Sequence, residues 1–165
     1  MFSFFYLPFL PFQFKNQEKM GSMKLENNGL VKIIYELTLS TALELVNYGL
    51  QLSKDRNLAL SIAVVDKSGN LLTFARMDNA GLITIDVAIN KAKTSAYIKA
   101  PSKAMEGIIN SGELSLTTIP NILPIQGGVP VIYNDEVIGA IGVSGSTGEI
   151  DNEIATQITQ YLNKQ

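Results

Sequence analysis

The chain has 165 residues, 46% of them hydrophobic, with 13 Lys plus Arg against 15 Asp plus Glu and a formal net charge of -2. That length suits one domain with a real core, and nothing in the charge balance is the clustered basic face of a nucleic-acid binder. With no cysteine, histidine or tryptophan, the chain has no disulfide, no thiolate or imidazole metal site and no usual general base, which makes it a poor candidate for hydrolytic or metal-dependent catalysis.

Residues 1–14, MFSFFYLPFLPFQF, are aromatic and lack charged side chains. Pro8 and Pro11 break any helix, and the run is too short to span a bilayer. No basic n-region or small-residue cleavage site marks a secretory signal. We read residues 1–30 as a disordered or artefactual extension from a start set too early, with Met20 and Met23 as alternative starts. The other reading is a degenerate targeting segment over residues 1–22, which would make the protein secreted rather than cytoplasmic. A single domain is expected over residues 37–165.

The first helix is expected over Leu39–Arg56, with Thr38, Ser40 and Thr41 as competent caps and Thr41 with Glu44 at capping-box spacing. Ala42, Leu43, Val46, Gly49, Leu50 and Ser53 form one face at helical spacing. Leu45, Tyr48 and Leu52 form a second stripe, which suggests burial on two sides and a subunit interface through this helix. The alternative is packing of that stripe against a neighbouring loop.

Leu60–Val65 and Leu71–Ala75 read as strands around the hairpin loop Asp66–Asn70. Arg76-Met77-Asp78-Asn79 then places two opposite charges beside a loop. Thr84 is expected to cap a helix with the narrow stripe Ile85, Ala88, Ile89, Ala92 and Ala96, which suits close approach to a sheet. Pro101 ends it, and Ser102 caps a short helix through Ile109. Leu114–Leu123 is mixed and admits a short extended piece. Val129–Tyr133 and Val137–Val143 are strands about the Asn134-Asp135 turn. Glu149–Leu162 is the closing helix, buried through Ile150, Ile154, Ile158 and Tyr161.

Tests for chemistry are mostly negative. There is no GxGxxG after the first strand, no GK[ST], no GxSxG, and no triad without histidine. Ser144-Gly145-Ser146 before a helix offers backbone N–H groups to an anion, or is an ordinary strand-to-helix loop. Asp78 with Asp86, or Glu149, Asp151 and Glu153, offer oxygens to a hard cation, but acidic residues in a first helical turn more often serve the dipole, and no metal site is expected. Arg76, Lys91, Lys93 and Lys99 suit a ligand carboxylate, or are solvated helix charges. Tyr97, Met77 and Met105 are the phenolic or soft side chains available to haem iron, or are packing.

The motif order LTLSTA (37–42), SIAVVDKSGNLLTFARMDNA (61–80), IDVAINKAKTSA (85–96), GGVPV (127–131) and VIGAIGVSGSTGEIDNEIA (137–155) resembles the GlcG/HbpS family of haem-binding-protein-like domains, which includes the C-terminal domain of PduO-type proteins. The resemblance implies an α+β, profilin-like fold: an antiparallel sheet of about five strands flanked by helices on both faces. It also implies a homo-oligomer, no established catalytic residues, and proximity to glycolate, propanediol and cobalamin metabolism, with haem or a corrinoid as the ligand of some members. A His-ligated haem is excluded here, so Tyr, Met, Lys, Thr or water would have to face the iron.

The expected function is a small-molecule-binding accessory protein with no nucleic-acid or membrane partner. The alternatives are an isomerase or lyase using Lys91, Asp78 or Tyr97, and a purely structural oligomer subunit. The expected ligand site joins Arg76, Met77, Asp78, Lys91, Tyr97, Gly127, Gly128, Ser144 and Gly145 near a subunit boundary. One guanidinium, ammonium groups and glycine N–H groups converge there on a carboxylate-bearing ligand. A chain starting at Met23 is expected to melt within a few degrees of the full-length protein. A large drop in a calorimetric scan would refute the reading of residues 1–30 as an extension.

Overall fold

Two β-hairpins build one antiparallel sheet in the computed structural model, which describes residues 34–162. The first hairpin joins β1 (Ser61–Asp66) to β2 (Leu71–Arg76), and the second joins β3 (Gly128–Tyr133) to β4 (Glu136–Ser144). Their order in space is β2-β1-β4-β3. The sheet therefore has four strands where the resemblance implied about five, and the 114–123 stretch contributes a 3₁₀ turn at Leu114–Thr118 instead of an extended piece. The expectations for residues 1–30 lie outside the described residues.

Local chemistry sets both turns. The Asp66 carboxylate accepts from the backbone N–H groups of Ser68 (2.8 Å) and Asn70 (2.9 Å) and from the Asn70 side chain (2.9 Å). Partial burial pushes its pKa up, but these bonds outweigh that and hold the carboxyl below its ordinary range. Asn134 and Asp135 adopt φ of 48° and 61°, the left-handed pair that matches the twist of a two-residue hairpin.

Helices cover both faces of the sheet. On one face, α1 (Leu39–Asp55) and α4 (Gly148–Tyr161) bring Leu45, Val46, Ile154 and Ile158 onto Ile62, Val64, Ile141 and Val143. On the other, α2 (Thr84–Ile98) lays Ala88, Ala92 and Ala96 on Ala63, Val65 and Ala140. Strand β1 is covered on both sides, which is why it reads as an unbroken apolar run instead of an alternation. The short helix α3 (Ser102–Asn110) follows α2 directly.

Several sequence expectations change at the level of single side chains. Thr38 caps α1, its hydroxyl accepting from the Thr41 N–H at 3.3 Å, so Thr41 and Glu44 do not form a capping box. Thr84 and Ser102 are the first residues inside their helices, and neither caps it. The stripe assigned to a subunit interface is internal: Leu45 is fully buried in the main core, Leu52 packs against that core, and Tyr48 stacks on Tyr161 of α4 with centroids 4.4 Å apart. Helix α1 contacts both α4 and the sheet, so the Leu45, Tyr48 and Leu52 stripe packs within the chain itself. Leu43, placed on the core face by spacing, is 46% exposed. Among the described residues no helix is long and apolar enough to cross a membrane.

Leu45→Ala is expected to destabilise the domain by about 2–5 kcal/mol in urea unfolding, the range for removing a buried leucine. A near-zero change would show that this position is not core.

Candidate functional site

The sheet register decides which of the expected site residues can meet. Ser61 of β1 pairs with Arg76 on one side and Ser144 on the other. One row across the end of the sheet therefore runs Arg76, Ser61, Ser144, with Arg76 and Ser144 two strands, roughly 10 Å, apart. Met77 and Asp78 continue from that end, and Gly128 enters the neighbouring strand opposite Gly142. The start of α2 is tied to the same end. Thr84 donates to the Gly81 carbonyl at 2.6 Å, and its hydroxyl oxygen lies 2.7 Å from that of Ser61.

Tyr97 is not part of this group. Its ring lies against Gly69 in the β1–β2 turn, at the opposite end of β2 from Arg76, roughly 17 Å away along the strand. Its side chain therefore cannot line a pocket with Arg76, nor meet iron bound there.

Lys91 belongs to the interior. Its residue is 2% exposed, and its ammonium donates to Asp151 Oδ2 at 2.8 Å and to the Val143 carbonyl at 3.1 Å. The other carboxylate oxygen of Asp151 accepts from the Ser146 N–H at 3.0 Å. Sequence reasoning left Ser144-Gly145-Ser146 as an anion cradle or an ordinary strand-to-helix loop; the anion that the Ser146 N–H meets is the chain's own Asp151. Both expected roles fail for one reason, since a buried ammonium needs a buried carboxylate.

The glycines are also spent on packing. A Cβ at Gly142 would collide with the Ala88 carbonyl oxygen, and one at Gly128 with the Lys91 carbonyl oxygen. Gly127, at φ 118°, lies against Val143 O, Lys91 Nζ and Asp151. Bare backbone is required here so that α2 can lie on the sheet, and Ser144 is 6% exposed beneath the same layer.

Arg76 and its loop remain reachable. Arg76 is exposed and donates through Nη1 to the Ala80 carbonyl at 2.9 Å. Ion pairs among the described residues are Arg56–Glu153, Lys67–Glu36 and Lys91–Asp151, so Asp78 does not neutralise it. The guanidinium carries five N–H donors. On the loop whose Ala80 carbonyl it binds and whose Gly81 carbonyl accepts from Thr84, Leu82 and Ile83 are each 74% exposed. Sequence reasoning missed this pair; the signal was two apolar residues between Gly81 and the helix start, with no periodic partner. Met77 is half-buried against the main core.

The cation-site candidates do not converge. Glu153 pairs with Arg56 at 2.9 Å, Asp151 with Lys91, and Glu149 accepts from the Gln126 side chain at 3.3 Å. Among the described residues no group of three or more acidic side chains is placed to hold a metal ion.

Two clefts lie away from Arg76. One of about 330 Å³ at the β3–β4 turn is walled by Tyr35, Ile132, Tyr133 and Leu162, with the two tyrosines edge to face at 5.3 Å. A more open one of about 620 Å³ runs along α3 past Gln126 and Glu149. The segment bordering it is held by polar ties. Thr94 accepts from the Leu123 N–H (2.8 Å), Ser102 donates to the Ile125 carbonyl (2.7 Å) and accepts from Gly128 (2.9 Å), and Glu106 accepts from the Gln126 N–H (2.9 Å). No residue from 103 to 126 is buried.

Comparison with known proteins gives a consistent result. The model of a family described as haem degrading protein HbpS-like matches residues 37–160. Protein GlcG of Escherichia coli is 34% identical over 113 residues, covering 68% of this chain and 83% of that protein. Among solved structures, protein ORFY of Klebsiella pneumoniae superposes with a TM-score of 0.77 at 31% identity, over 82% of this chain and 97% of that one. A variant of Streptomyces reticuli HbpS superposes with a TM-score of 0.75 at 28% identity, over 86% of this chain and 97% of that one.

Asp151→Ala leaves the Lys91 ammonium buried without its partner and is expected to cost about 3–5 kcal/mol in urea unfolding. Lys91→Met combined with Asp151→Leu should recover much of that loss, because an apolar pair leaves no orphan charge. A double variant no more stable than Asp151→Ala alone would show that the pair supplies something beyond mutual neutralisation.

Proposed function

The chain belongs to the HbpS-like family, and from that premise we propose that it is a small-molecule-binding accessory protein whose ligand is a carboxylate-bearing tetrapyrrole, haem or a corrinoid. The observation that carries this reading is the exposed Arg76 guanidinium, bonded to the loop that also carries the exposed Leu82 and Ile83. Such a surface pairs a fixed donor fork with apolar contact area. A propionate matches the fork, and a flat macrocycle suits the two aliphatic side chains.

The same residues fit the body of the ligand and not its iron. The chain has no histidine or cysteine, Tyr97 lies against Gly69 at the far end of β2, and Met77 is packed on the core. Binding through the periphery follows: Arg76 orients the carboxylates, Leu82 and Ile83 exclude water from one face, and no side chain of this group serves as an axial ligand. The catalytic alternative built on Lys91 has no support, since that amine is sealed and paired.

The experiment is a parallel titration with hemin and iron-free protoporphyrin. Both are expected to bind with similar affinity, and Arg76→Ala should weaken both by about 1.5–3 kcal/mol, the range for a charged hydrogen bond, with little change in melting temperature. Hemin binding that survives Arg76→Ala with an unchanged spectrum would place the site elsewhere. Hemin binding without protoporphyrin binding would show that the iron is ligated.

A further inference from the structure

The β3–β4 hairpin carries an irregularity that shapes one of the two clefts. Val131 pairs with Gly139 and Ile132 with Val137, so Ile138 is an extra residue of β4 with no partner opposite. Bulges of this kind bend a strand and re-aim its side chains. Ile138 lies beyond the last β1–β4 pair, Asp66 with Gly139, and its carbonyl accepts from the Leu37 N–H at 3.2 Å. The chain entering α1 is thereby held beside the hairpin. Lys67 holds it from β1, donating to the Tyr35 carbonyl at 3.4 Å. Between residues 35–38 and the hairpin end lies the cleft of about 330 Å³. Its lining includes the buried Leu37 and Ile138, while Ile132 and Tyr133 stay more than half exposed, at 56% and 52%.

The lining sets the chemistry of an occupant. The Tyr35 and Tyr133 rings meet edge to face, with 73° between their planes, and rings in that arrangement keep free surface for a third aromatic group. The charge at the rim cancels. Glu36 lies 3.4 Å from Lys67 Nζ, and among the described residues Glu36 is the one charged side chain in the lining. Neither an anion nor a cation therefore finds an unpaired counter-charge there. The polar groups left are hydroxyls. Thr38 is engaged as the cap of α1. Thr41 Oγ1 bonds only Thr38 Oγ1 among the described residues, at 3.0 Å, so it keeps hydrogen-bonding capacity for a ligand.

We propose that this cleft binds a small neutral aromatic molecule that carries one hydroxyl or ring N–H, a phenol or an indole. The ring packs on Tyr35 and Tyr133 against the aliphatic lining, and its polar hydrogen meets the Thr41 hydroxyl. The volume lies at the lower end of the range for small-molecule sites, about 300–1,000 Å³, which suits one or two rings. An apolar concavity with a single polar group in reach is also the usual composition of such sites. This site is separate from the Arg76 surface and stands whether or not a tetrapyrrole binds.

Titration of the full chain with indole, followed by two-dimensional NMR, tests the proposal. Saturable shifts are expected at Tyr35, Leu37, Tyr133 and Ile138 and not at Arg76 or Leu82. Tyr133→Ala should weaken binding by at least about threefold, whereas Tyr133→Phe, which keeps the ring, should leave it nearly unchanged. N-methylindole, which has no N–H, should bind the wild type several-fold more weakly than indole, and Thr41→Val should abolish that difference. Benzoate and benzylammonium should bind more weakly than either. The absence of saturable shifts, or saturation at residues outside the cleft, overturns the proposal. Unchanged affinity in Tyr133→Ala does so too. A charged analogue that binds more tightly than indole overturns the neutral class, and a preference for indole that persists in Thr41→Val removes Thr41 from the site.

Discussion

The buried ion pair between Lys91 and Asp151 is the contact on which the other packing decisions depend. It joins α2 to α4 directly, to β4 through the Val143 carbonyl, and to the β4–α4 connection through the Ser146 N–H. An ion pair at this depth has a large desolvation cost, offset only when the remaining donors and acceptors are satisfied. Here the backbone of the β4–α4 connection does that. The geometry requires α2 to lie on the sheet with almost no clearance, and alanines at 88, 92 and 96 with glycines at 128 and 142 follow from that requirement.

Much of the fold was legible in the residues. The four strands read as short apolar runs about the Asp66–Asn70 loop and the Asn134-Asp135 turn, and α2 and α4 showed their apolar spacing. The strand count was less secure, because Leu114–Leu123 has apolar content without a period, and tertiary hydrogen bonds decide its shape. The Leu45 stripe misled because periodicity reports which sides of a helix are buried and not what buries them. The site was harder still. Lys91, Gly127 and Ser144 were identified as important positions, but in sequence a helical lysine looks the same whether it faces a ligand or a carboxylate 60 residues away.

The result is a division within one small domain. Groups with the strongest chemistry are consumed internally, so the scaffold is rigid around α2. Surface chemistry is left to a few side chains at the sheet end.

The segment from 103 to 126 has a different kind of stability from the rest. It is suspended from Thr94 and Ser102 by hydrogen bonds, is tied internally between Glu106 and Gln126, and places no residue in the core. Detaching it would expose little new apolar surface, so its opening has a small heat capacity and only weak sensitivity to denaturant. Its amides can therefore exchange with solvent by a sub-global opening that leaves the sheet closed. A molecule bound against this segment would therefore act on the part of the domain least tied to its core.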